Sequence, residues 1–162
     1  MKGLIVVLLL IIAGGVSYLA VNESRKKQEA EDLANEIATR ALQSRVMEGI
    51  TFSVEARWAV RDYYEANGVF PESFSDVGIE TFRLNRPESV LNMKLEDDGV
   101  IVVNYVPSRL GLYLMDVTAL YWVPKPNDKG GIDWSCVPSE EFGVIAKEKE
   151  IIPEPCYPSK DR

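Results

Sequence analysis

The sequence predicts an α+β fold, with a long N-terminal helix packed on a roughly four-stranded antiparallel sheet. The helix combines a membrane segment with an amphipathic half. Three observations predict this arrangement. No proline occurs before Pro71. Apolar residues recur at helical spacing through Leu33, Ile37, Leu42, Val46, Ile50 and Val54, joined later by Phe52, Ala56, Ala59, Val60 and Tyr63. Beyond Pro87 the period shortens to the alternation of half-buried strands.

The chain opens on an uncharged run, Leu4 to Val21, preceded by Met1, Lys2 and Gly3. At helical rise it spans about 27 Å, close to the thickness of a hydrocarbon core. An uncleaved anchor needs only that length. A cleaved signal peptide needs small residues before the cut, which Gly15 and Ser17 supply better than Tyr18 and Ala20. Arg25, Lys26 and Lys27 would hold the body in the cytoplasm by the positive-inside rule. The cysteines below argue for the opposite side, and acidic neighbours dilute the basic cluster. The expectation is a single-pass membrane segment over residues 1–21, with the body in the periplasm or outside the cell.

Residues 22–45 read as a charged helical stalk. Five basic residues (Arg25, Lys26, Lys27, Arg40, Arg45) face five acidic ones (Glu23, Glu29, Glu31, Asp32, Glu36). Glu23 with Lys27, and Glu36 with Arg40, stand four apart in the favourable order. A solvated stalk is the plain reading. A coiled-coil contact through Leu33, Ile37 and Leu42 is the sharper one, with only two heptads to support it.

Residues 46–162 form the globular part. The amphipathic stripe contributes Val46, Ile50, Val54, Val60 and Tyr63 to the expected core. Tyr63 and the adjacent Tyr64 point to different faces, one buried and one at the rim. Gly49 either admits a closely approaching strand or marks a bend. Asn67-Gly68 ends the helix, because glycine accepts the left-handed closing conformation, and Pro71 blocks its resumption. Trp58, between Arg57 and Arg61, is expected under the loop Pro71 to Pro87, with a partner contact as the alternative. Val90 to Leu95 alternates as a strand, and Glu96-Asp97-Asp98-Gly99 is a tight-turn signature. Val100 to Val106 follows as a second strand, and Pro107 to Gly111 breaks it. Leu112 to Val123 holds one bent strand or two. Pro124 to Gly131 reads as a loop, and Ile132 to Val137 as the last strand.

Cys136 and Cys156 are the two cysteines. Their separation fits neither a zinc site nor a Cys-x-x-Cys redox pair. A single structural disulfide is the simpler reading, and it implies an oxidising compartment. It would staple the proline-rich tail from Pro138, which has little periodicity, to the last strand. Trp134 would then pack against the disulfide. On the chain-entropy model such a loop adds about 3 kcal/mol.

Composition excludes several function classes. The net charge is −7 with a pI near 4.7, which opposes any general affinity for nucleic acid. There is no histidine, no glycine-rich phosphate loop and no Gly-x-Ser-x-Gly. No catalytic residue, metal, cofactor or small-molecule substrate is expected. Asp97-Asp98 and Glu140-Glu141 are adjacent acids in turns, where solvation is the ordinary state.

Four features in order resemble a known family. They are the hydrophobic-then-amphipathic helix, the segment Ala59-Val-Arg-Asp-Tyr-Tyr-Glu-Ala-Asn-Gly-Val-Phe-Pro71, four antiparallel strands, and Trp134-Ser-Cys136 followed by Pro153-Glu-Pro-Cys156. From about Arg40 to Tyr157 the chain resembles the type IV pilins of Gram-negative bacteria. The resemblance implies that the cysteines bound a surface segment, the D-region, and that the partners are the inner membrane and other pilins or pilus-assembly proteins. Some pilins bind DNA through a basic strip. Here residues 46–162 carry 12 basic against 20 acidic side chains, which opposes that activity.

The amino terminus departs from the family pattern. Lys2-Gly3 resembles the end of a prepilin leader, with cleavage after Gly3. The family's glutamate at the fifth residue beyond the cut is replaced by Leu8. Cuts after Gly14 or Gly15 would put Leu19 or Ala20 there. The stem that pilins bury in a filament falls on a charged stretch here, and burying it carries a large desolvation cost. The leading expectation is therefore a membrane-anchored pilin-like accessory of a pilus or secretion system. The alternative is a divergent minor pilin or pseudopilin within the filament.

Overall fold

The computed structural model describes residues 2–79, 86–112, 118–148, 150–153 and 156, with side chains from Val21 onward. The chain divides into two compact units, Met1–Ala38 and Thr39–Arg162.

The first unit is helical from Lys2, as part of α1 (Lys2–Phe52). Every described side chain from Val21 to Ala38 is exposed, including Leu33 and Ile37. Among the described residues, local pairs form along the helix. Lys27 meets Glu31 at 3.9 Å rather than Glu23, and Gln28 donates to Asp32 at 2.9 Å. The run expected to anchor the chain, Leu4 to Val21, lies almost wholly outside the described side chains. Among the described residues no helix is long and apolar enough to cross a membrane.

In the second unit the single helix expected up to Asn67 is interrupted at Ser53, between α1 and α2 (Val54–Asn67). Buried Ser53 turns its hydroxyl back onto the carbonyl of Ile50 at 2.7 Å, which bends a helix without breaking its ladder. The ladder persists, with Ser53 N–H bonded to Gly49 and Arg57 N–H to Ser53. Gly68, at φ 72°, closes α2 by donating to the carbonyl of Tyr64. A capped single turn, Phe74–Val77, follows. The rest of the expected loop lies partly outside the described residues.

Four strands form one antiparallel sheet in the order β1-β2-β3-β4: β1 (Val90–Leu95), β2 (Ile101–Tyr105), β3 (Ala119–Pro126) and β4 (Ile132–Pro138). The turn between β1 and β2 uses positive φ at Asp98 and Gly99. Across the sheet Leu95 pairs with Ile101, Ile101 with Trp122, and Trp122 with Cys136. One sheet face therefore carries Met93, Ile101, Val103, Tyr105, Leu120, Trp122 and Cys136 into a core shared with Val46, Ala56 and Val60.

Two expectations for the later chain are corrected. β3 runs on to Pro126, through what reads in sequence as a loop. Its pairing with β2 stops at Trp122, so among the described residues Pro124 and Pro126 are paired with β4 and with no strand on the other side. A missing N–H on that unpaired side breaks no ladder bond. The upstream half of the apolar run, residues 113–117, lies outside the described residues. The tail is not irregular after Pro138 either, because α3 spans Glu140–Glu148. Phe142, Ile145 and Ala146 give it a core-facing side at i, i+3 and i+4. Glu140 and Glu141, expected in a turn, open this helix, and Lys147 stands in its last turn. Both placements suit the helix dipole.

Candidate interaction surface

The head is pinned to α1 by side chains that reach helix carbonyls from the sheet side. Tyr105 on β2 donates to the carbonyl of Val46 at 2.8 Å. Ser89 donates to the carbonyl of Arg45 at 3.1 Å and to the carboxylate of Glu48 at 2.6 Å. The Arg45 guanidinium reaches the carbonyl of Arg109. Gly49 makes this approach possible, since a Cβ there would overlap the Tyr105 ring. Of the two readings of Gly49, the closely approaching strand is the one observed. Burial pushes the Tyr105 hydroxyl above its ordinary pKa, and the nearby Glu48 carboxylate adds to the effect.

The disulfide joins Cys136 on β4 to Cys156, with Cα atoms 4.3 Å apart and a sequence separation of 20. Both cysteines are buried in the common core. Within the segment they bound, Phe142 packs against Tyr105 with ring centroids 6.1 Å apart. Ile151 and Ile152 are buried too, and Gln43 of α1 donates to the carbonyl of Glu150 at 2.9 Å. The segment is thus held to helix and sheet by apolar packing as well as by sulfur.

The remaining sequence-expected residues fall into two groups. Val46 and Val60 are fully buried in the core, and Ile50 and Trp134 are half-buried against it. Val54 and Tyr63 are half-buried outside that cluster. Gly3 lies among the residues whose side chains are not described. Tyr63 and Tyr64 do not divide into buried and rim, since both are half-buried, and Tyr64 stacks on Phe70 at 4.6 Å. That stack draws the chain after Gly68 onto the β1–β2 turn, where Phe70 lies against Gly99.

Three surface features remain. The first is α2 around Trp58, which is 59% exposed and not covered by the following loop as expected. Its neighbour Arg57 has its guanidinium carbon over the Trp122 ring, 3.8 Å from the centroid. Arg57 Nε and Trp122 Nε1 are both buried without an acceptor. The second is an apolar groove of about 290 Å³ where β4 runs into α3. It is lined by the apolar Val137, Pro138, Gly143 and Val144 and by Ser139, Glu140 and Lys147. The third is an acidic cleft of about 700 Å³ beside Tyr64 and Phe70, carrying Glu72, Glu96, Asp97 and Asp98. Among the described residues no cluster of metal-binding side chains forms.

Sequence reasoning missed the Arg57–Trp122 stack and the groove. The first joins residues 65 positions apart with no local signal. The second depends on α3, whose periodicity is masked by Gly143.

A helix clamped to a four-stranded antiparallel sheet, with a disulfide-bounded C-terminal segment, is the arrangement of a type IV pilin head. Residues 43–157 match the family described as pilin (bacterial filament). No curated protein matches the chain. With most of its length covered by that match and the head geometry in agreement, the chain belongs to the pilin family of bacterial filament proteins.

Proposed function

We propose that the chain is a non-enzymatic structural subunit of a type IV pilus or a related secretion filament, entering it as a divergent pilin or pseudopilin. Before assembly it is held in the inner membrane by Leu4 to Val21, with its head in the periplasm, and cleavage after Gly3 releases it. The observation that carries this reading is the family match over residues 43–157, coincident with one core that joins helix, sheet and disulfide. The Cys136–Cys156 bond suits a compartment outside the cytoplasm. Its partners are other pilin-family chains.

A second reading has its own support. Residues 22–38 are exposed and densely charged, and enclosing them in a filament centre is costly. That favours a membrane-anchored accessory that binds pilins without joining them. Sheared surface fibres decide between the two. A fibre fraction containing this chain, with Met1 to Gly3 removed, supports the subunit. A chain retaining Met1, found only in membranes and crosslinking there to pilins, supports the accessory. A mature terminus near Ser17 overturns both.

A further inference from the structure

Trp58 and Arg57 form an incomplete site. Trp58 is the largest exposed apolar side chain among the described residues, at 59%. It interrupts a charged helix face that has no use for an indole in water. Arg57 beside it is fixed by its stack on Trp122, and among the described residues no carboxylate pairs with it. Its buried Nε–H finds no acceptor. A half-buried guanidinium stacked on a ring, with no counter-ion among the described residues and an exposed tryptophan next to it, has the composition of an interface hot spot awaiting its partner.

The same head carries a surface of complementary make. The groove between β4 and α3 has an apolar lining, with Val144 at 66% and Val137 at 38% exposure. At about 290 Å³ it has room for an indole ring. Glu140 and Lys147 also line it. Arg57 matches the first in charge, whereas Arg61 and Asp62 on the same helix are already paired with each other at 2.7 Å. We infer that the Trp58 face of one copy docks into the β4–α3 groove of a second copy, with Arg57 taking an acidic group from the groove. Two different patches meet, so the contact is heterologous and propagates from copy to copy rather than closing as a dimer. It rests on the filament-subunit reading, and supplies that reading with a head-to-head contact.

The test uses full-length chain with one added thiol per variant, since both native cysteines are bonded to each other. Glu55→Cys marks the helix face and Glu148→Cys marks α3, and neither residue takes part in the proposed contact. Mixed Glu55→Cys and Glu148→Cys chains are expected to crosslink under mild oxidation, while neither does so alone. Adding Trp58→Ala, an exposed change that leaves the core intact, lowers the mixed yield by about tenfold or more. Crosslinking of Glu55→Cys to itself as efficiently as to Glu148→Cys overturns the inference, as does a mixed yield indifferent to Trp58. Sheared fibres that contain the chain but show no mixed crosslink overturn the contact and leave the subunit reading intact. Mixed crosslinking with the chain absent from fibres does the reverse.

Discussion

Gly49→Ala sets two opposed effects against each other at one atom. In an isolated helix the change stabilises by about 1 kcal/mol, because alanine is the best helix former and glycine among the poorest. In the head the new methyl overlaps the Tyr105 ring. That ring has little freedom to retreat. It is 1% exposed, bonded through its hydroxyl to the carbonyl of Val46, and packed against Phe142. Overpacking of this kind costs about 1–3 kcal/mol, and the atoms met here are the rigid ring rather than a flexible tip. The net expectation is a loss of up to about 2 kcal/mol, after a helix gain of about 1 kcal/mol offsets part of the strain. At about 2–4 °C per kcal/mol for a chain of this size, the melting temperature falls by up to several degrees.

Chemical denaturation of the oxidised chain, followed by near-UV circular dichroism of the tyrosines, measures it. Tyr105→Phe supplies the second arm. Alone it removes one hydrogen bond, at about 1 kcal/mol or less, because the carbonyl of Val46 retains its helix partner. Combined with Gly49→Ala it removes the atom nearest the new methyl, so the double variant should lose less than the sum of the singles. A rise in stability for Gly49→Ala, or strict additivity with Tyr105→Phe, would refute the claim that β2 approaches α1 at this glycine.

Other perturbations probe the remaining joints. Replacing both cysteines, Cys136→Ser with Cys156→Ser, should cost about 3 kcal/mol and speed amide exchange in α3 more than in β2, because Phe142 and Ala146 then rely on packing alone. Tyr105 predicts an alkaline weakness. Its folded pKa is raised, so the unfolded chain loses that proton first, and stability falls as pH rises above about 10. Urea midpoints measured from pH 9 upward should decline less steeply in Tyr105→Phe. Arg57→Met should change stability by no more than about 1 kcal/mol, because a cation–π contact and an orphaned donor disappear together. A loss beyond about 3 kcal/mol, the range for breaking a buried ion pair, would mean that Arg57 has an acceptor within its own chain.

Elements with local signals were legible in the sequence. Gly68 and Pro71 punctuate the helix end, and Val90 to Leu95 with Glu96 to Gly99 spell a strand and its turn, because each depends on neighbouring residues alone. The two prolines in β3 misled for a reason visible only in the assembled sheet, namely that β2 stops pairing at Trp122. Ser53 reads as an ordinary helical serine until its burial turns the hydroxyl back onto the chain. At the candidate surface the exposed tryptophan was legible as a possible contact, but its neighbour's role was not. What makes Arg57 unusual is a ring on β3, and no spacing rule links position 57 to position 122.

The two patches of the inferred contact hang from one core. Trp58 lies between Ala56 and Val60, which face inward, while Val144 lies between Phe142 and Ala146, which do the same. Helix α2 thus presents Trp58 because its opposite side is buried, and α3 presents Val144 for the same reason. An exposed large apolar residue flanked at ±2 by fully buried ones cannot turn inward without moving the helix, so its exposure is imposed by packing rather than chosen by a rotamer. Core lesions such as Gly49→Ala should therefore disturb both patches together, whereas Trp58→Ala removes one and leaves the other in place. An assembly defect counts against the surface itself only when the variant's unfolding midpoint matches that of the parent chain.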